Sequence, residues 1–146
     1  MRTSGMSGAP CRVLIVDDFP DAADASCMLL TVLGHSCRIA KSGTAALELI
    51  EQFDPDIVIL DIGLPDLSGY EIARTLRAHS TRAYLAALTG WGASSDRDRA
   101  FAAGFDLHVV KPASAEKLCG IVERAMRRQG EQLATRMGNV PLAAGA

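Results

Sequence analysis

A chain of 146 residues is the length of one ordinary domain and too short for two that each bury a core. Apolar types make up 49% and charged types 22%, a balance that excludes an intrinsically disordered or fibrous chain. With 15 basic and 17 acidic side chains the net charge is −2, so no basic excess points to direct nucleic-acid binding or to an anionic membrane surface.

Residues 1–10 are rich in Gly, Ser and Pro and read as a flexible tail. Strands are predicted over residues 12–16, 37–40, 56–60, 84–88 and 107–110, all short and Val/Ile/Leu-rich. Little polar alternation interrupts them, which predicts burial on both faces. A helix begins near Asp21, with Met28, Leu29, Val32 and Leu33 on its inner face and Gly34 ending it. The next places Ala46, Leu47, Ile50 and Phe53 together and stops at Asp54-Pro55. Ile72, Ala73 and Leu76 follow Gly69; Ala100, Phe101 and Ala103 precede Gly104. Ser114 opens the last helix, with Lys117 after it and a stripe of Leu118, Ile121, Val122, Ala125 and Met126. Residues 129–146 lack sustained periodicity and read as a second tail, leaving one domain over 11–128. Strand–helix alternation repeated five times predicts a doubly wound α/β fold, a five-stranded parallel sheet with helices on both faces. Runs such as 13–16 and 57–60 fall far short of the about 20 residues that span a bilayer. The first ten residues contain no apolar signal core, so a cytoplasmic location without membrane insertion is expected. Cys11, Cys27, Cys37 and Cys119 form no CxxC pair, so free thiols are expected rather than disulfides or zinc ligands.

The polar residues that follow the strands carry the chemistry. VLIV runs into Asp17-Asp18, IVIL into Asp61, YLAAL into Thr89 and LHVV into Lys111. Ligands of open α/β sheets bind outside the carboxyl ends of the strands, so three carboxylates, a hydroxyl and an ammonium meet at one rim. Crowded carboxylates repel, and one ammonium leaves the rim about −2 by charge counting. A hard divalent ion such as Mg2+ relieves this and makes the pocket attractive to a phosphoryl group. Thr89 and Lys111 supply donors to that group, and a carboxylate can accept it as an acyl phosphate. Asp61, alone at the end of the central strand and opposite the Asp17-Asp18 pair, is the candidate acceptor.

Jointly these segments resemble the receiver domain of response regulators in two-component signalling, over about residues 11–128. VLIVDDFPDA is similar to the family's first strand with its acidic pair, and DIVILDIGLPDLSGYEIARTLR to its phosphoacceptor strand and following loop. ALTG is similar to the switch strand, and AAGFDLHVVKP to the fifth strand with its lysine. The spacings, 43 residues from Asp18 to Asp61, 28 on to Thr89 and 22 on to Lys111, are of the family's kind. The resemblance implies a flavodoxin-like strand order 2-1-3-4-5 with Asp61 as the phosphorylated aspartate. It implies Mg2+ held by Asp61, by Asp18 directly, by Asp17 through water and by the backbone carbonyl of Gly63. Thr89, with Gly90 beside it, matches the hydroxyl that moves toward the phosphate. Lys111 matches the phosphate-binding lysine, and Lys111-Pro112 a peptide bond often cis. His108 stands where the family has a Tyr or Phe that swings between rotamers; a histidine is smaller and titrates near neutrality. Gly63 and Gly90 leave the pocket mouth bare, so a short-lived acyl phosphate is expected unless Trp91 covers it.

The function expected is a phosphoacceptor switch rather than an enzyme. It takes phosphate from a histidine kinase or histidine phosphotransfer protein and promotes its own phosphorylation and dephosphorylation. It then signals to a downstream protein by contact, or relays or drains phosphate. The 18 residues after 128 are too few for an output domain, so a stand-alone switch is expected. ALTGWG and AAGFDLHVVKP look most like receivers attached to hybrid histidine kinases. A homodimer through the fourth and fifth helices stays open. So does a docking module that never takes phosphate. A Mg2+-dependent phosphohydrolase is disfavoured, because haloacid-dehalogenase-type sites need an Asp two after the nucleophile and Gly63 stands there. Residues 17–33 hold no glycine and further acids, which excludes nucleotide or flavin phosphates.

Simpler roles compete for several residues. Asp17-Asp18 suit a helix-capping turn, and Trp91 suits either plain surface or a partner contact. His35 and His79 suit the surface near helix ends, and His108 suits a packed strand position. Arg124, Arg127 and Arg128 suit a solvated helix terminus.

Overall fold

Each predicted strand forms, with ends within one residue of expectation: β1 (Arg12–Val16), β2 (Ser36–Ala40), β3 (Ile57–Asp61), β4 (Tyr84–Thr89) and β5 (Leu107–Val110). The structure, a computed structural model, describes residues 10–79, 82–90 and 94–136. All pairings are parallel, in the order β2-β1-β3-β4-β5. The helices are α1 (Pro20–Val32), α2 (Gly43–Phe53), α3 (Gly69–Ala78), α4 (Ser94–Ala103) and α5 (Ala115–Arg136). Leu30, Leu118, Ile121 and Val122 of α1 and α5 bury against Val13, Ile15, Ile57 and Ile59 on one face. Ala46, Ile72, Leu76 and Ala100 of α2, α3 and α4 bury against Leu14, Val58 and Leu85 on the other. The chain moves from β1 out to β2 and crosses back to β3, changing face as it does. The crevice between β1 and β3 is therefore the topological switch point.

Burial on both faces holds for β1 beyond Arg12 and for all of β3 and β4, and fails at the edges. β2 alternates exposed and half-buried residues until Ala40, and β5 is half-buried throughout, because each has one neighbour and incomplete helix cover.

Helix α1 turns differently from its predicted stripe. Ala23, Cys27 and Leu30 face the sheet, at i, i+4 and i+7, while Met28, Val32 and Leu33 are exposed. Both stripes have helical spacing, so periodicity alone does not choose between them. Phe101 of α4 is likewise exposed beside buried Ala100 and Ala103. The stretch expected as a tail from 129 is helical as far as Arg136, since α5 continues through Gly130. One interior glycine costs a helix only about 1 kcal/mol. Residues 1–9 and 137–146, where the tails were read, lie outside the described residues, as does Trp91.

Two further expectations change. His35 is buried, with Nδ1 accepting the Cys11 backbone N–H at 3.0 Å, whereas His79 is exposed at the end of α3 as expected. Arg128 is no solvated terminus: it donates to Asp106 Oδ1 at 2.7 Å and lies 4.9 Å over the Tyr84 ring. All four cysteines are free thiols. Among the described residues no helix is long and apolar enough to cross a membrane.

Candidate functional site

The register of the sheet brings the acids together. Val16 of β1 lies beside Leu60 of β3, so the residues that follow, Asp17 just past β1 and Asp61 at the end of β3, come together. Asp61 is 5% and Asp17 4% exposed, and Asp18 is exposed. Ligand oxygens of the three lie within 4.8 Å of one another. Asp17 does not cap α1, whose N-cap, Phe19, has no side-chain capping bond. Instead its Oδ1 accepts the Phe19 N–H at 2.9 Å, a local turn that aims the carboxylate inward.

Lys111 closes the group from β5. Its Nζ donates to Asp61 Oδ2 at 2.9 Å, while the Gly63 N–H donates to Asp61 Oδ1 at 2.9 Å. The Lys111–Pro112 bond is cis, as expected. Burial pushes Lys111 toward the neutral form, but the hydrogen bond and charge of Asp61, then the charges of Asp17 and Asp18, outweigh it and raise its pKa. Asp17 is also raised. Burial is the main cause and the Phe19 N–H opposes it; repulsion from Asp61 and Asp18 adds, and Lys111 counters. A buried carboxylate with two more acids within 4.8 Å fits a divalent cation with oxygen ligands, and this donor set suits Mg2+.

Thr89 ends β4, 6% exposed, and its Oγ1 is 3.1 Å from His108 Nε2. This contact links the two residues that the resemblance places in the switch. Among the described residues, nothing lies within 4 Å of a Cβ added at Gly90, and only Asp61 Oδ1, at 3.8 Å, near one at Gly63, so neither position carries cover at the mouth.

The loop after Asp61 is held at both ends. Asp66 accepts from the N–H groups of Gly43 at 2.8 Å and Thr44 at 3.1 Å, capping α2; those bonds keep its carboxyl far below the ordinary range. Gly69 packs so closely that an added Cβ would lie 2.8 Å from Ile62 Cα.

These residues surround a cavity of about 500 Å³ lined by Asp18, Asp61, Gly63, Thr89, Gly90 and Lys111. Phe19, Ile62, Tyr70, Asp96 and Arg99 complete the lining, and sequence reasoning missed all five as site residues. Arg99 lies in SSDRDR, a charge run that reads as a solvated helix face. A larger apolar groove of about 680 Å³ between α1 and the start of α5 touches Asp17 and Lys111 but not Asp18, Asp61 or Thr89. The chemistry therefore belongs to the smaller cavity.

The family described as "Response regulator receiver domain" matches residues 13–123. The transcriptional regulatory protein KdpE of Mycobacterium tuberculosis is 38% identical over 116 residues, 80% of this chain and 51% of its own length. The probable transcriptional regulatory protein TcrX of the same organism is 35% identical over 123 residues, 84% of this chain and 53% of its own. The chain thus spans about half the length of the curated relatives it matches. A CheY-like receiver domain from Methanospirillum hungatei superposes with a TM-score of 0.79, covering 85% of this chain and 99% of that one at 24% identity, a likeness of fold. DrrB of Thermotoga maritima, at 30% identity, covers 82% of this chain and 54% of its own with a TM-score of 0.73. With β1 and β3 ending in one acidic cup and the family match running from β1 into α5, the chain belongs to the receiver domains of response regulators.

Proposed function

We propose that Asp61 is the phosphoacceptor of this receiver and that Asp17, Asp18, Asp61 and the Gly63 carbonyl hold Mg2+. The observation that carries this reading is a buried carboxylate, Asp61, bonded to Lys111 at 2.9 Å with two more acids within 4.8 Å. The bound ion supplies positive charge to the oxygens of the phosphoryl group in flight. The rest falls to the chain. An Asp61 oxygen forms the new P–O bond as the donor's bond to phosphorus breaks in line. The bonding pair leaves with the donor, an imidazole where that donor is the phosphohistidine of a histidine kinase or phosphotransfer protein. Lys111 exchanges its carboxylate partner for a phosphoryl oxygen. The acceptor thus promotes its own phosphorylation, and the open mouth at Gly63 and Gly90 admits the water that later hydrolyses the acyl phosphate.

The switch passes through Thr89. In the tautomer with its proton on Nδ1, His108 accepts the Thr89 hydroxyl proton at Nε2. A phosphoryl oxygen competes for the same proton, so phosphorylation frees the imidazole on β5. The freed edge, with α4 beside it, changes what a downstream protein meets; relay of the phosphate to a second histidine uses the same chemistry in reverse. A cytoplasmic setting supplies such partners.

The test is mass measurement after incubation with Mg2+ and acetyl phosphate. One added phosphoryl group, removed by hydroxylamine and absent in Asp61→Asn, is expected. An unmodified wild type would sink the phosphoacceptor reading and favour docking without phosphate, and continuous release from many esters would favour a hydrolase.

A further inference from the structure

Arg99 is a cation without an anion at the mouth of the phosphorylation cavity. It lies in the middle of α4 and lines the same cavity as Asp61, Thr89 and Lys111. Its Cζ sits 4.5 Å from the centroid of the Tyr70 ring. Among the described residues it makes no hydrogen bond or ion pair, although Asp96, one turn earlier on the same helix, lines the cavity too. The platform beneath it is rigid. Tyr70 is 6% exposed, and its N–H donates to Ser68 Oγ at 3.1 Å within the capping box that opens α3. A guanidinium stacked on a fixed ring loses little further freedom when its N–H fork meets an anion.

Charge counting says which anion. Three carboxylates, one ammonium and one divalent ion leave the cup neutral. Phosphorylation replaces the single charge of Asp61 with a phosphoryl charge of about −1.5 to −2. The cup then carries an excess negative charge of about −0.5 to −1, on phosphoryl oxygens in the cavity that Arg99 lines. Arg99 is the cation on that side, and its planar fork suits two phosphoryl oxygens at once.

We propose that Arg99 is a second phosphate-binding residue: it contacts the outward oxygens of the phosphoryl group once Asp61 carries it, while the Tyr70 ring holds the guanidinium over the mouth. This rests on Asp61 being the phosphoacceptor. It also makes the contact between α3 and α4 sensitive to phosphorylation, since the residue that reads the phosphate is stacked between those helices.

The test titrates the full chain, in Mg2+, with beryllofluoride, a phosphoryl mimic that binds the acceptor carboxylate. Arg99→Ala is expected to raise the beryllofluoride Kd about three- to tenfold, a range set by an exposed but charge-assisted contact. Arg99→Lys, which keeps the charge but loses the fork, falls between. The Mg2+ Kd without beryllofluoride stays within twofold of wild type, a readout that a merely structural role of Arg99 would not separate from the first. A beryllofluoride Kd for Arg99→Ala within twofold of wild type would overturn the proposal, as would equal weakening of Mg2+ alone. Absence of beryllofluoride binding in the wild type, with no acyl phosphate by mass, marks failure of the underlying phosphoacceptor reading instead.

Discussion

At the amino-terminal ends of β4 and β5, Asp106 accepts from Arg77 Nη2 at 2.6 Å, Arg128 Nη1 at 2.7 Å and the Leu85 N–H at 2.8 Å. Arg77 also donates to the carbonyls of Gly104 at 2.8 Å and Ala83 at 3.1 Å, and Arg128 to that of Arg82 at 3.2 Å. One carboxylate there has two guanidiniums. At the carboxyl-terminal ends of the same sheet, three carboxylates crowd within 4.8 Å and share one ammonium. The first arrangement compensates its carboxylate, with Arg128 Nε the one buried side-chain nitrogen or oxygen left without a hydrogen bond among the described residues, and ties α3, α5 and β5 into one body. The second is left short of positive charge by the chain itself, so a cation and a phosphoryl group can alter it. Compensated charge here is architecture, and uncompensated charge is the site.

The same substitution at the two ends should therefore act with opposite sign. Asp106→Asn leaves two half-buried guanidiniums without their anion and should cost about 2–3 kcal/mol, below the value for a fully buried pair because the groups keep some contact with water. Urea unfolding should show a lower midpoint with an unchanged slope. Asp17→Asn keeps an oxygen for the Phe19 N–H and removes one of three repelling charges. Because the folded state holds the Asp17 carboxyl above its ordinary range, ionised Asp17 works against folding at neutral pH. Its replacement should raise the midpoint in metal-free buffer. Wild type should gain about 1.4 kcal/mol from Mg2+ at tenfold over its Kd, and Asp17→Asn much less. Loss of stability in Asp17→Asn without metal, matching that of Asp106→Asn, would erase the distinction between the two ends.

What could be read from the chain divides along the same line. The strands and the four polar strand ends were legible because each is local: an apolar run stops, and a charge or hydroxyl follows. The parallel register then gathers them with no further choice. Networks built from distant residues were not legible. Arg77 and Arg128 meet at Asp106 across 29 and 22 residues, and nothing in their own segments marks them apart from solvated arginines. Arg99 was hidden in a charge run for the same reason, and His35 by its place beside a helix end. The α1 stripe misled because Met28, Val32 and Leu33 repeat with the helix as regularly as the sheet-facing Ala23, Cys27 and Leu30.

His108 and His35 sharpen the comparison further, because among the described residues the ring of each holds one hydrogen bond, at opposite ends of the sheet. His108 bonds Thr89 where bonds are to be exchanged. On the proposed switch, its replacement by Phe removes the imidazole that competes with the phosphoryl group for the Thr89 proton. The expected gain, about 0.5–1 kcal/mol for one neutral hydrogen bond, is a two- to fivefold tighter beryllofluoride complex. That is opposite in sign to Arg99→Ala. Unchanged or weaker binding would mean that His108 does not compete for that proton.

His35, at the start of β1 and β2, holds a bond that nothing exchanges. Its Nδ1 must stay unprotonated to accept the Cys11 N–H at 3.0 Å, and burial lowers its pKa below the ordinary 6.5. The unfolded chain therefore binds this proton more readily than the folded one, so stability is fully present above about pH 6.5 and falls as pH drops through that value toward the folded pKa. His35→Gln should flatten that part of the pH profile of the melting temperature, a smaller change than any above, while the Mg2+ response is untouched. The amino end would then be sensitive to pH and indifferent to phosphate, and a His35→Gln variant that altered beryllofluoride binding would show the two ends to be coupled after all.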